Sequence, residues 1–369
     1  MLERYGHGGD LRTAEENFGL PADQYIDYSS NMNPFGPPPS VKQTLLRYAD
    51  EIGRYPDPAV RGLRSKLAKL HQIDEQSILI GNGAAELIDL VVRSIQPKVT
   101  GLTYPCFAEY GDAVHKTGGQ ISPIWLSADH AFELTEENMP FSSPNAAEFY
   151  MIGSPNNPTG QLVNPELIMK LVHSGATVVV DEAFIDFVPD EVNYTLIEEA
   201  SVNNRLFVIR SMTKFYAIPG IRLGYIVGAK ERIAELKRLQ VPWSVNSLAQ
   251  QIGESVLEAK EFARLTLDWL VEERPWLTDQ LEKLGMTVNP SSANYVLVRL
   301  PDRQGLTAAR LQHDMGLLGV LIRDASHFPG LDDRYCRFAI KHRADNARLL
   351  SALTDCLDNY EKSAQQSDV

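Results

Sequence analysis

Between residues 77 and 210 the chain alternates short apolar runs with stretches of helical spacing. SILI (77–80), KVTGLTY (98–104), ISPIWL (121–126), FYMIG (149–153), TVVV (177–180) and LFVIR (206–210) are rich in β-branched or aromatic residues, as strands buried on both faces are. Between them, residues 84–95, FAEYGDAVHK (107–116) and PELIMKLVHSG (165–175) repeat apolar positions at helical intervals, the last with a glycine stop. Strands alternating with helices of this length predict an α/β fold with a mostly parallel, doubly wound sheet.

After VPWSVN (241–246) the pattern changes. Amphipathic helices cover 247–284, and YVLVRL, GVLIR and YCRFAI read as strands. A helix is expected through LTAARLQHDMGLLG, and a last one from Ala344 to about Tyr360. That is a smaller α+β domain. The first forty residues, with NMNPFGPPPS, are too rich in Pro, Gly and Asn for regular structure and predict an arm crossing a surface. The expected division is an arm at 1–40, a large domain at 41–246, a small domain at 247–360 and a frayed tail at 361–369.

Composition refines this picture only slightly. With 369 residues, 44% of them hydrophobic and 22% charged, the chain is long enough for one large domain and a smaller one. Lys and Arg number 35 against 48 Asp and Glu, a net charge of −13. So acidic a chain lacks the basic footprint of a nucleic-acid binder, and any anionic ligand has to be held by local groups. Cys106, Cys336 and Cys356 are widely spaced and form no metal-ligand pattern with the histidines. A reduced cytoplasmic setting is the expectation. MLERYGHGGD has no apolar run of the kind a secretory leader carries, and no segment has the apolar length of a membrane span.

Ligands of open α/β sheets bind at the carboxyl ends of the strands, and the unusual residues fall there. GNGAAE (81–86) follows SILI and opens a helix; SPNNPTG follows FYMIG; Asp181 and Glu182 follow TVVV; Ser211 to Lys214 follow LFVIR. Each has a plain alternative. A lone G-x-G is as often a tight turn as an anion cradle. Asp181 suits a helix cap, Asn157 a turn, and Lys214 a surface lysine with a packed stem. Together they bring a lysine, a carboxylate, an amide, hydroxyls and a helix N-terminus to one crevice. A partly desolvated lysine has a lowered pKa and becomes a nucleophile for Schiff-base chemistry. The cofactor that needs this set is pyridoxal 5′-phosphate: a lysine for its aldehyde, a carboxylate for its ring nitrogen, a donor for its 3′-oxygen and a nest for its phosphate.

S-x-T-K followed by G-x-R-x-G-Y, with NNPTG and DEA upstream, resembles the fold-type I pyridoxal-phosphate enzymes of the aspartate aminotransferase superfamily. Within it the chain is similar to the histidinol-phosphate aminotransferase branch, and in that branch to the L-threonine-O-3-phosphate decarboxylases of cobalamin biosynthesis. The words behind this are GHGG, YSSNMNPFG, RYPD, CFAEYG, DEAFIDF, TKFYAIPGIRLGY, PWSVN and LIRDASHFPGLDDRYCRFAI. The resemblance implies a seven-stranded, mostly parallel sheet sandwiched by helices, with a smaller α+β C-terminal domain. It implies that Lys214 binds the cofactor aldehyde, Asp181 the pyridine nitrogen and Asn157 the 3′-oxygen. Phe107 would stack on the ring, and Ser211, Thr213, Arg222 and the amides of Gly83 and Ala84 would hold the phosphate. Tyr55 would reach that phosphate from the other subunit of a homodimer. Arg337 would clamp the substrate carboxylate, and Arg323 would meet its second anionic group. His7, Gly8, Gly9 and Asn31 would close over the phosphate of a small phosphorylated amino acid.

Two departures bear on the reaction. Phe184 stands in DEAF where aminotransferases of this superfamily commonly carry a tyrosine that donates to the 3′-oxygen. Asp10 follows GHGG where asparagine is expected, and a carboxylate there would repel a substrate phosphate unless it points away. The implied activity is decarboxylation of L-threonine O-3-phosphate. The alternatives are histidinol-phosphate or related aminotransfer and, from another class, a pyridoxal-phosphate-binding regulator, for which the acidic chain offers no basic patch.

Overall fold

The computed structural model describes Leu2 and residues 7–139 and 147–367. The other residues at the start of the arm and the last two of the tail lie outside it. A short strand in the arm, β1 (Ile26–Asp27), precedes the large sheet. That sheet holds β2 (Ile78–Gly81), β3 (Val99–Tyr104), β4 (Gln120–Trp125), β5 (Phe149–Gly153), β6 (Thr177–Asp181), β7 (Leu206–Ser211) and β8 (Gly224–Val227). Their order is β2-β8-β7-β6-β5-β3-β4, parallel throughout except that β8 runs against both its neighbours.

The apolar runs behave as expected of central strands. Successive residues of β7 enter opposite layers: Leu206 and Val208 join one core, Phe207 and Ile209 the other. β4 is an edge strand, and Pro123 within it denies an incoming strand one backbone donor. β8 is the strand that apolar pattern alone passes over, because GYIV is short and follows directly on the G-x-R-x-G motif.

The small domain has an antiparallel sheet of order β12-β13-β10-β9, formed by β9 (Thr287–Val288), β10 (Tyr295–Arg299), β12 (Arg323–Asp324) and β13 (Tyr335–Ala339). β11 (Val320–Leu321) pairs in parallel with β1 instead. GVLIR, expected as one strand, is therefore split at Ile322 between two sheets.

Three expectations are corrected. The arm contains a helix, Leu11–Phe18, capped by Asp10, and packs Leu2, Ala14 and Tyr25 against Leu321 of the small domain. The helix Ser247–Val256, expected to open the small domain, buries Ala249, Ile252 and Val256 with Leu63 and Leu67 in the large-domain core. The last helix spans Arg343–Ser367 and so includes most of the expected tail. Among the described residues no helix is long and apolar enough to cross a membrane.

Candidate active site

Ser211 ends β7, and the chain turns at once into a single helical turn, Met212–Phe215. The Ser211 hydroxyl accepts from the Thr213 N–H (3.4 Å), so the turn caps itself and projects Lys214 from the strand end. Lys214 is partly buried. Burial, then the positive charges of Arg337 and Arg222, lower its ammonium to about 8.

Asp181 ends β6 and is buried. Its Oδ2 accepts from the Tyr110 hydroxyl (2.7 Å) and its Oδ1 from the Ala183 N–H (3.1 Å). Burial pushes its carboxyl up to about 6, against the pull of those two donors. Glu182, the next residue, points to the opposite face, where it pairs with Arg210 (2.7 Å). Of the two adjacent carboxylates, only Asp181 shares the side of the sheet that carries Ser211.

Arg337 joins the two domains at the site. It donates through Nη1 to Asn157 Oδ1 (2.5 Å) and through Nη2 to the Ser29 carbonyl (2.7 Å). Its guanidinium lies 5.4 Å from the centre of the Tyr295 ring, a cation–π distance. Phe184 meets the same Tyr295 ring edge-on at 4.9 Å, and the Tyr295 hydroxyl donates to the Asn156 carbonyl (2.8 Å). Ser29 and Asn156 were not singled out from sequence. Ser29 lay inside the quoted word YSSNMNPFG and Asn156 beside Asn157, so neighbourhood was the available signal.

Gly83 and Ala84 lie where β2 passes into the helix Ala84–Ile95. Gly83 has φ +86°, and a Cβ there would sit 2.9 Å from the Arg222 guanidinium. A Cβ on Gly224 would come within 3.0 Å of the Ala84 nitrogen. Two glycines thus let a helix N-terminus and an arginine approach one another closely, a grouping of the kind an anion requires. Thr213 is buried, its hydroxyl directed to the Leu223 carbonyl at 3.4 Å. Phe107 caps the helix Ala108–Lys116 and stands half-buried, 5.7 Å and edge-on to Tyr110.

The arm reaches this crevice. The Gly9 N–H donates to Ser29 Oγ (2.9 Å), and a Cβ on Gly8 would collide with the Ser29 carbonyl at 2.3 Å. His7 pairs with Glu109 (2.8 Å), 6.4 Å from the Phe107 ring. The Asp10 carboxylate is engaged by the Thr13 N–H (3.0 Å) and hydroxyl (2.6 Å), which hold it below the usual carboxylate range as a helix cap. Asn31 is buried and its Oδ1 has no hydrogen-bond partner among the described residues, as a residue awaiting a ligand would be. Arg323 is buried with its guanidinium 5.6 Å from the Phe328 ring.

Tyr55, among the predicted residues, lies apart on the surface of this chain. It is 85% exposed, rests against Trp243 at 5.4 Å, and lines an outer hollow with Tyr48, Asp57 and Gln250. Lys214, Asp181 and Arg222 are absent from that hollow.

The donor set fits pyridoxal phosphate: a lysine of lowered pKa, a buried carboxylate, and a helix N-terminus whose glycine lets Arg222 come close. The model of the aminotransferase class I and II family matches residues 23–353. The threonine-phosphate decarboxylase of Salmonella typhimurium is 39% identical over 357 residues, 95% of this chain and 96% of that protein. Among solved structures, the histidinol-phosphate aminotransferase of Clostridium acetobutylicum superposes with a TM-score of 0.83 at 33% identity, over 90% of this chain and 99% of that one. The L-threonine-O-3-phosphate decarboxylase of Porphyromonas gingivalis superposes with a TM-score of 0.79 at 26% identity and the same coverage. A match across most of the chain settles the family: this protein belongs to the class I and II aminotransferases and is a fold-type I enzyme that works with pyridoxal 5′-phosphate.

Proposed function

We propose that the enzyme decarboxylates L-threonine O-3-phosphate, giving (R)-1-amino-2-propanol O-2-phosphate and CO₂, a product suited to the aminopropanol linker of cobalamin. The observation that carries this reading is the 39% identity, over nearly the full length of both chains, to a threonine-phosphate decarboxylase. Phe184 supports it. Packed on Tyr295, it leaves the Asn157 amide without the phenol that aminotransferases add at the 3′-oxygen.

Lys214 would bind the cofactor aldehyde, Asp181 the ring nitrogen, and Phe107 the ring face. Asn157 suits the 3′-oxygen, because Arg337 occupies its Oδ1 and fixes the amide so that Nδ2 is the group left to donate. The Gly83 and Ala84 amides, Ser211, Thr213 and Arg222 would hold the cofactor phosphate. Pyridoxal phosphate, once bound, supplies an electron sink for the pair released at Cα. Arg337 would take the substrate carboxylate in a two-pronged contact, and Arg323, with Asn31 and the His7-Gly8-Gly9 segment, the substrate phosphate. Holding both ends of the substrate sets which Cα bond stands perpendicular to the ring, and so which bond breaks. Lys214 Nζ would then return a proton to Cα in place of the lost CO₂, with Tyr55 of a second subunit beside it.

The second reading is amino-acid aminotransfer, favoured by the 33% identity to a solved histidinol-phosphate aminotransferase. The distinguishing assay incubates the cofactor-loaded enzyme with L-threonine O-3-phosphate and no keto acid. Sustained CO₂ release with unchanged cofactor absorbance is expected. A single-turnover change to the amine form of the cofactor, without CO₂ and reversed by 2-oxoglutarate, would establish the aminotransferase instead.

A further inference from the structure

We infer that Tyr110 is a positioning residue for Asp181: its phenol proton, held on Oδ2, fixes the carboxylate and leaves its remaining lone pairs for the cofactor's ring nitrogen. This rests on the reading of Asp181 as the partner of that nitrogen.

Both groups are buried, Asp181 to 6% exposure and Tyr110 to 2%, so no water competes for the 2.7 Å bond between them. Burial favours the neutral carboxyl, and the donated phenol proton is the largest influence opposing it, ahead of the Ala183 N–H. The phenol itself cannot give up that proton. Burial and the adjacent carboxylate raise its pKa well above the ordinary tyrosine value, so it acts as a permanent donor.

The backbone makes room for this contact. Gly153 is the register partner of Asp181 across the β5–β6 pair. A Cβ on Gly153 would lie 3.2 Å from the Tyr110 hydroxyl and 3.2 Å from Asn156 Oδ1, closer than side-chain carbons ordinarily approach. A methyl there would make the phenol give way by a few tenths of an ångström. The sequence spacing adds a second constraint. Phe107 and Tyr110 are three residues apart at the start of one helix, their rings edge-on at 5.7 Å. The aromatic proposed for one face of the cofactor and the donor to Asp181 are thus set by the same helical turn. If Tyr110 only filled the core, a phenylalanine would serve and no donor would face the Asp181 carboxylate.

The test compares Tyr110→Phe, Asp181→Asn and the double variant, each reconstituted with pyridoxal phosphate labelled with ¹⁵N at the ring nitrogen. Three quantities are read: the ¹⁵N shift, cofactor dissociation, and the acid limb of kcat. Tyr110→Phe is expected to move the acid limb toward neutral pH by about one unit and to weaken cofactor retention about tenfold. The ¹⁵N signal should move from the protonated toward the neutral position, and KM should be little changed because the arginines are intact. In the Asp181→Asn background the same change should add nothing, since its route is gone. A wild-type ¹⁵N shift and acid limb in Tyr110→Phe would overturn the inference while leaving the role of Asp181 standing. A protonated ¹⁵N signal in Asp181→Asn would overturn the reading of Asp181 itself. If Tyr110→Phe does not fold, Gly153→Ala keeps the phenol but presses on it. An acid limb displaced in the same direction would support the inference, and an unmoved one would overturn it.

Discussion

Arg323 and Arg337 are register partners across the antiparallel β12–β13 pair, so two buried guanidinium side chains leave neighbouring strands on the same face of the small-domain sheet. Like charges directly opposite each other on a sheet are unfavourable. A substrate with two anionic ends, as the proposed L-threonine O-3-phosphate has, would turn that cost into binding. Arg337→Met is expected to lower kcat/KM by about a thousandfold, as truncation of a buried ionic contact does. Arg323→Met should raise KM for L-threonine O-3-phosphate by roughly ten- to a hundredfold with a smaller change in kcat. Steady-state kinetics on both variants decides the division of labour. Equal loss of kcat in the two would remove the assignment of separate anions to them.

The lowered pKa of Lys214 gives a second expectation. With its ammonium at about 8, about a tenth of the enzyme presents a neutral amine at pH 7, against well under a hundredth at an ordinary lysine pKa. The rate at which the cofactor-free protein captures pyridoxal phosphate should therefore rise with pH to a midpoint near 8. Burial is the main cause of the shift and the Arg337 charge the next. Arg337→Met should accordingly move the midpoint upward, by removing a positive charge that disfavours the ammonium. Stopped-flow absorbance across pH 6–10 reads both. An unmoved midpoint in the variant would show that the Arg337 charge does not set the lysine.

How much of this was legible from sequence differs by element. The helix Ala84–Ile95 appeared with its observed ends, because an apolar face and a glycine start leave little freedom. β5 likewise appeared with its observed ends, and β6 and β7 run one residue beyond their apolar runs, to Asp181 and Ser211. The arm helix Leu11–Phe18 was not anticipated. It is short and polar, and its stability comes from the Asp10 cap and from packing against a residue more than three hundred positions away, Leu321. GVLIR was read as one strand because local pattern cannot show that Val320 pairs with the arm while Arg323 pairs with β13. At the site, the placement of motif residues at strand ends was legible and the side chains that support them were not. Tyr110 reaches Asp181 across 71 positions of sequence, and Ser29 reaches Arg337 across 308. Such pairs are created by folding, and no spacing rule reports them.

Behind the site, Arg210 is 2% exposed and binds Glu182 (2.7 Å), Asp186 (3.2 Å) and Glu191 (3.0 Å). Removing one member of a buried ion network strands the rest, at a cost of about 3–5 kcal/mol. Arg210→Met should destabilise the protein by an amount in that range at pH 8, measured by urea unfolding. The loss should shrink toward pH 5. Burial raises the Asp186 carboxyl to about 7 even with Arg210 in place, and the Glu182 carboxyl is raised as well. A carboxyl raised in the folded state contributes stability below its unfolded pKa and loses it as pH rises through the folded value. Without the arginine both values climb further, so the penalty appears mainly on the alkaline side. A loss independent of pH would mean that the cost is packing, not charge.

Tyr55 supplies the test of assembly. In one chain it is exposed on Trp243, with other large apolar side chains, Leu46, Ile52 and Val241, also open to solvent. If it completes the site of a second copy, Lys214→Ala and Tyr55→Phe damage different halves of one composite site. Each variant alone should be inactive or strongly impaired. When the two are unfolded together and refolded at equal concentration, about half the dimers are mixed by random pairing. Each mixed dimer holds one site with both substitutions and one with neither, so recovery of about a quarter of wild-type activity is expected. Activity no higher than the sum of the separately refolded variants would place Tyr55 and Lys214 in the same chain's site or make Tyr55 dispensable, and a Tyr55→Phe assay alone separates those two outcomes.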